Sequence, residues 1–93
     1  MTNVEKAQRM LEVIYEVTDD VMRVPDPRAK AAATKLRKQM EEYAREGDID
    51  SMYNYYQNAM RSEKGKLVHD RATIHGRKTL ESEADRFDEI YRS

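Results

Sequence analysis

The chain contains no cysteine and no tryptophan, and only three glycines and two prolines among its 93 residues. Each shortage excludes something. Without cysteine there is no disulfide scaffold and no Cys-ligated zinc module. Three scattered glycines, at 47, 65 and 76, cannot build a phosphate-cradling loop, which argues against nucleotide hydrolysis and dinucleotide binding. No run is apolar for long enough to span a membrane. The opening Met1-Thr2-Asn3-Val4-Glu5 has neither a basic nor an apolar stretch, so no secretory signal is expected and the expected location is cytoplasmic. A second core would not fit in a chain of this length, so residues 1–93 are expected to form a single domain.

Large aliphatics are scarce too. Leu, Ile, Val and Phe together number 15 of 93, few enough to raise the question of disorder. Disorder usually comes with high net charge, and here 17 basic and 18 acidic residues leave a formal charge of −1. Six Met, six Tyr and nine Ala supply apolar mass outside that count. The expectation is a folded domain with a thin core and modest stability.

What is present is helical periodicity. Val4, Ala7, Leu11, Ile14, Thr18 and Val21 alternate steps of three and four, flanked by Met10, Val13 and Val17 on one side and Tyr15 on the other. That arc is roughly 200° wide, about twice what an outer helix of a small bundle needs. Either the first helix is central and packs on two sides, or one flank meets a partner chain. Thr2 and Glu5 have capping-box spacing, with Asn3 as an alternative cap.

Asp26-Pro27 opens a second helix as cap and first residue. Its stripe, Ala29, Ala32, Ala33, Leu36, Met40, Tyr43 and Ala44, is narrower, and its alanines permit close approach. Asp48 caps a third helix with Ile49, Met52, Tyr53, Tyr56, Ala59 and Met60 on one face and Tyr55 at its edge. Each glycine follows a helical run, where a left-handed C-terminal cap needs one. Leu67, Val68, Ala72 and Ile74 suggest a short helix, and Leu80, Ala84, Phe87 and Tyr91 a final one capped by Thr79. No strand alternation or internal repeat is visible. The fold class is all-α: a small antiparallel bundle of three to five helices at about 3–22, 27–46, 49–64, 67–75 and 79–91, or with the last two joined as one long helix containing Gly76.

Catalytic and metal motifs fail one by one. Asp48-Ile49-Asp50-Ser51 with Asn54 resembles a calcium loop, but Tyr53 stands where glycine is required and Ala59 where glutamate is. The acids suit a helix N-terminus instead. His69 and His75 are six apart, whereas a helical metal pair wants three or four, and Asp70 beside His69 points in a different direction on a helix. Nucleophilic catalysis has no visible home. The expectation is no enzyme, no catalytic residues, no metal and no cofactor, with a small enzyme around His69, Asp70 and His75 as the weakest alternative.

Charge carries more information. By segment the balance alternates: −3 for residues 1–27, +3 for 28–46, −2 for 47–60, +4 for 61–78 and −3 for 79–93. Arg61, Lys64, Lys66, Arg71, Arg77 and Lys78 crowd one stretch that could bind phosphate groups, or could neutralise the acidic first and last segments. Tyr53, Tyr55 and Tyr56 with Met52 and Met60 form the densest aromatic and sulfur patch. Core packing accounts for most of it. The flank of Tyr55, with small Ala59 beside it and Met52 next in the arc, suits a partner surface.

Together these features predict a small non-enzymatic protein-interaction module, a regulator, inhibitor or adaptor that occupies another protein's surface. Its expected contacts are Tyr55, Met52, Val13 and Val17, and self-association as a homodimer is expected because a thin core gains from burying more area. The alternative is a nucleic-acid-associated protein using the basic 61–78 stretch.

Overall fold

Three side-chain caps start the first three helices. In the computed structural model the described residues are 2–63, 65, 66, 68 and 80–93, with backbone only at 60 and 80–84. Helix α1 spans Asn3–Met22, α2 Pro27–Arg45, α3 Ile49–Arg61 and α4 Leu80–Arg92. Thr2 caps α1, its Oγ1 accepting from Glu5 N at 3.2 Å, so Asn3 is the first helical residue rather than the cap. Asp26 caps α2 by accepting from Arg28 N at 3.1 Å and Ala29 N at 3.3 Å, with Pro27 in the first turn. Asp48 caps α3, accepting from the backbone N and the Oγ of Ser51 at 3.1 and 2.7 Å. Those bonds favour the charged carboxylate and hold Asp48 below the usual aspartate range.

The turn between α2 and α3 is a Schellman motif. Gly47 N donates to Ala44 O at 3.1 Å and Asp48 N to Tyr43 O at 3.0 Å, with Gly47 at φ +67°. Gly65 departs from that pattern. Ser62, not Gly65, ends α3: its backbone is extended, and its Oγ donates to Ala59 O at 2.7 Å and accepts from Gly65 N at 3.0 Å. Lys66 N then donates to Ser62 O at 3.0 Å, so Ser62 opens a new helical turn and Gly65 lies within it. The third helix therefore stops at Arg61, short of the expected 64. The helix expected at 67–75, the Thr79 cap, and whether Gly76 breaks or continues the last helix lie outside the described residues, Val68 apart.

The apolar arc of α1 is wide because α1 is central. It packs against α2, α4 and α3. Ala7, Met10, Leu11, Val13, Ile14, Val17, Thr18 and Val21 are all buried on it. The Thr18 hydroxyl is satisfied within the helix, donating to Ile14 O at 2.6 Å. Around α1 the main core joins Leu36, Met40 and Ala44 of α2, Met52 and Tyr56 of α3, and Phe87 of α4. A smaller cluster joins Val17 and Val21 to Ala29, Ala33 and Val68. Methionine, tyrosine and alanine thus carry the mass that large aliphatics do not. Val4, on the predicted stripe, is 58% exposed because it lies in the first turn of α1, beside the α2–α3 turn.

Among the described residues there is no strand, and the architecture is a small all-α bundle. No described helix is long and apolar enough to cross a membrane.

Candidate functional site

Three of the four predicted partner contacts are inside the molecule. Val13 and Met52 are fully buried and Val17 is 3% exposed. The expectation of a surface flank at these positions is corrected: three neighbouring helices close around the arc of α1, and Met52 points from α3 into the same core. Tyr55 alone remains at the surface, half-buried at the core's edge, in a T-shaped pair with Tyr43 with ring centroids 6.1 Å apart.

Of the six predicted phosphate contacts, Arg61 and Lys66 are exposed. Lys64, Arg71, Arg77 and Lys78 lie outside the described residues, as do His69, Asp70 and His75. Among the described residues no group of three or more His, Cys, Asp or Glu is placed to hold a metal ion.

Tyr55 forms one wall of a groove of about 260 Å³ between α2 and α3. Ala32 and Leu36 line it from α2 and Ala59 from α3, while Gly65 and Val68 close one side. The groove exists because small residues face one another: Ala32, Ala59 and Gly65 leave unfilled the volume that larger side chains would take. Its floor is apolar, since Leu36 and Val68 are buried. Its polar lining is Lys35, Asn58 and Ser62, and the Ser62 hydroxyl is already engaged in the helix junction.

The α2 side of the groove is basic. From Pro27 to Met40, α2 carries Arg28, Lys30, Lys35, Arg37 and Lys38 and no acid. Arg37 is held by α1: its guanidinium meets Asp19 at 3.2 Å and lies 4.8 Å over the Tyr15 ring. Lys35, in the groove wall, is exposed and makes no ion pair among the described residues.

A second polar constellation joins α3 to α4. Tyr53 stacks on Tyr91 and donates its phenol to Asp88 Oδ1 at 2.6 Å; Tyr91 donates to Asp50 Oδ1 at 2.6 Å. Arg92 Nε donates to both Asp88 oxygens, at 3.0 and 2.9 Å. The Tyr53 phenol, then Arg92, holds Asp88 below the usual aspartate range. The Asp50 bond raises Tyr91, and Asp88 raises Arg92. On α1, burial and then Glu41, which accepts from the Tyr15 phenol at 2.8 Å, push Tyr15 up. Every one of these shifts leads away from neutral pH, the reverse of what tunes a general acid or base. The network ties helices together. The one sign of it in the sequence is the i,i+4 spacing of Asp88 and Arg92.

In comparisons with protein-family models, curated proteins and solved structures, nothing matches this chain.

Proposed function

We propose that this chain is a non-enzymatic protein-interaction module, a small regulator, inhibitor or adaptor, which docks on another protein through the α2–α3 groove. The observation that supports this reading is the half-open apolar groove itself, with Tyr55 and Ala59 in its walls and Lys35 at its rim. Interfaces favour an apolar centre with tyrosine and a polar edge. The homodimer reading loses the support of α1, whose second flank is absorbed within the chain, and so a different protein is the proposed partner.

Site-specific photo-crosslinking in the native host tests the proposal. Replacing the exposed Asn58 with p-benzoylphenylalanine puts a reactive group at the groove; replacing the exposed Gln8 puts one on α1. The expected result is a discrete, protease-sensitive adduct from position 58 and none from position 8. No adduct, or equal adducts from both, overturns the docking reading. An adduct removed by nuclease instead favours the second reading, nucleic-acid contact, for which Arg61 and Lys66 are the exposed described residues.

A further inference from the structure

We infer that the α2–α3 groove takes an acidic amphipathic helix from its partner, with one or two large apolar side chains entering beside Ala32 and Ala59 and carboxylates meeting the cations at the rim. This inference rests on the docking reading and names the chemistry of what docks.

Size is the first argument. At about 260 Å³ the groove is at the small end of binding cavities, whose usual range is roughly 300–1,000 Å³. It suits an anchor, a bulky apolar side chain or a close pair, carried on a larger body that remains outside. Shape is the second. The α3 wall runs from Tyr55 to Ser62, about 10 Å at the helical rise of 1.5 Å per residue. That length accepts apolar groups one helical turn apart, at i and i+3 or i+4, which is how an amphipathic helix reads a groove. Tyr55 supplies a flat, rigid contact already braced by Tyr43.

Charge decides which amphipathic helix fits. Lys35 stands in the wall. Helical spacing puts Arg28 one turn before Ala32, Lys38 one turn beyond Lys35 and Arg61 one turn beyond Asn58, while Lys66 adjoins Gly65. All five side chains are exposed. By the same spacing three acids stand near them, Asp26 at the α2 cap before Arg28, Glu42 one turn beyond Lys38, and the exposed Glu63, so the cations are in excess. A helix with carboxylates flanking its apolar stripe is steered to this rim, and one with lysines there is repelled.

The test is a titration of the isotopically labelled full chain, followed by backbone amide shifts. Two synthetic peptides of about 15 residues, long enough to form helix on contact, carry the same Leu and Phe stripe. One is flanked by glutamate, the other by lysine. The expected result is that the glutamate peptide shifts the amides of residues 32, 35, 55 and 59 and binds about tenfold or more tighter than the lysine peptide. Binding should weaken between about 50 and 300 mM salt as screening sets in. K35E should reduce or reverse the preference, and because Lys35 is exposed the variant folds; unchanged dispersion of the amide spectrum checks this.

Equal binding of the two peptides, preference for the lysine peptide, or no shift at the groove overturns the inference. So does a concentration-dependent shift of the same amides without peptide, which would make a second copy of the chain the occupant. If Asn58 still crosslinks in cells while the glutamate peptide fails, the docking reading stands and only the partner chemistry is wrong. If both fail, neither stands.

Discussion

The rings of Tyr53 and Tyr91 stack with centroids 4.1 Å apart and planes 12° from parallel. Each phenol also donates to a carboxylate on the opposite helix: Tyr53 of α3 to Asp88 of α4, and Tyr91 of α4 to Asp50 of α3. This reciprocal pair fastens the C-terminal end of α4 at the edge of the apolar core, where Phe87 is buried and Ile90 and Tyr91 pack against it. Arg86 adds an ion pair to Glu16 of α1. The last helix is held by polar contacts as well as by burial.

That arrangement predicts a pH dependence. Asp88 and Asp48 titrate lower in the folded chain than their usual values. Their contribution is therefore present above the unfolded aspartate pKa of about 4 and is lost as pH falls through the folded values. Urea unfolding followed by circular dichroism should show stability declining below about pH 4. D88N should flatten that decline, and an unaltered acid limb in this variant would contradict the assignment.

The alkaline side has the opposite sign. Tyr91 titrates higher when folded, because its protonated form donates to Asp50. Its contribution is present below about pH 10 and is lost as pH rises through the folded value. Y91F should be less stable at neutral pH yet lose less on going to alkaline pH. Equal alkaline loss in both proteins would show that the bond is not formed.

Met52 is fully buried in the core. M52A should cost about 2–5 kcal/mol, a large share of the roughly 5–15 kcal/mol that holds a typical domain folded. Denaturant unfolding measures this directly. A loss under about 1 kcal/mol would mean that the side chain is not enclosed.

At Gly47 the restriction lies in the backbone. An added Cβ would meet Val4 Cγ2 at 3.5 Å, an ordinary contact, but φ is +67°. G47A should therefore destabilise by about 1–2 kcal/mol, the usual penalty of the left-handed region for an L residue. An asparagine there should recover part of the loss.

Filling the groove should separate folding from docking. A59M places apolar mass in open space beside Leu36 and should leave stability unchanged or raise it by up to about 2 kcal/mol. The same change should remove the crosslink from position 58. A variant that is both well folded and still crosslinks would place the contact elsewhere.

Local pattern in the sequence determined the first three helices and their starts. Alternating steps of three and four along α1, and the Thr2, Asp26 and Asp48 caps, depend only on neighbours within a turn or two. The Gly47 cap is equally local. The same locality misplaced the end of α3, because Ser62 and Gly65 serve as cap and helix interior in a junction that composition alone does not distinguish.

Which side of each helix is closed was a tertiary decision. The 200° arc of α1 fits equally well a central helix or one sharing a flank with another chain, and the packing of α2, α3 and α4 around it selected the first. That choice buried Val13, Val17 and Met52 and left Tyr55 beside Ala59 as the open edge. Periodicity reports how much of a helix is apolar; which neighbour covers it depends on contacts between residues far apart in the chain. The tyrosine stack across residues 53 and 91 and the groove between Ala32 and Ala59 are products of those contacts, and neither has a signature in any one segment.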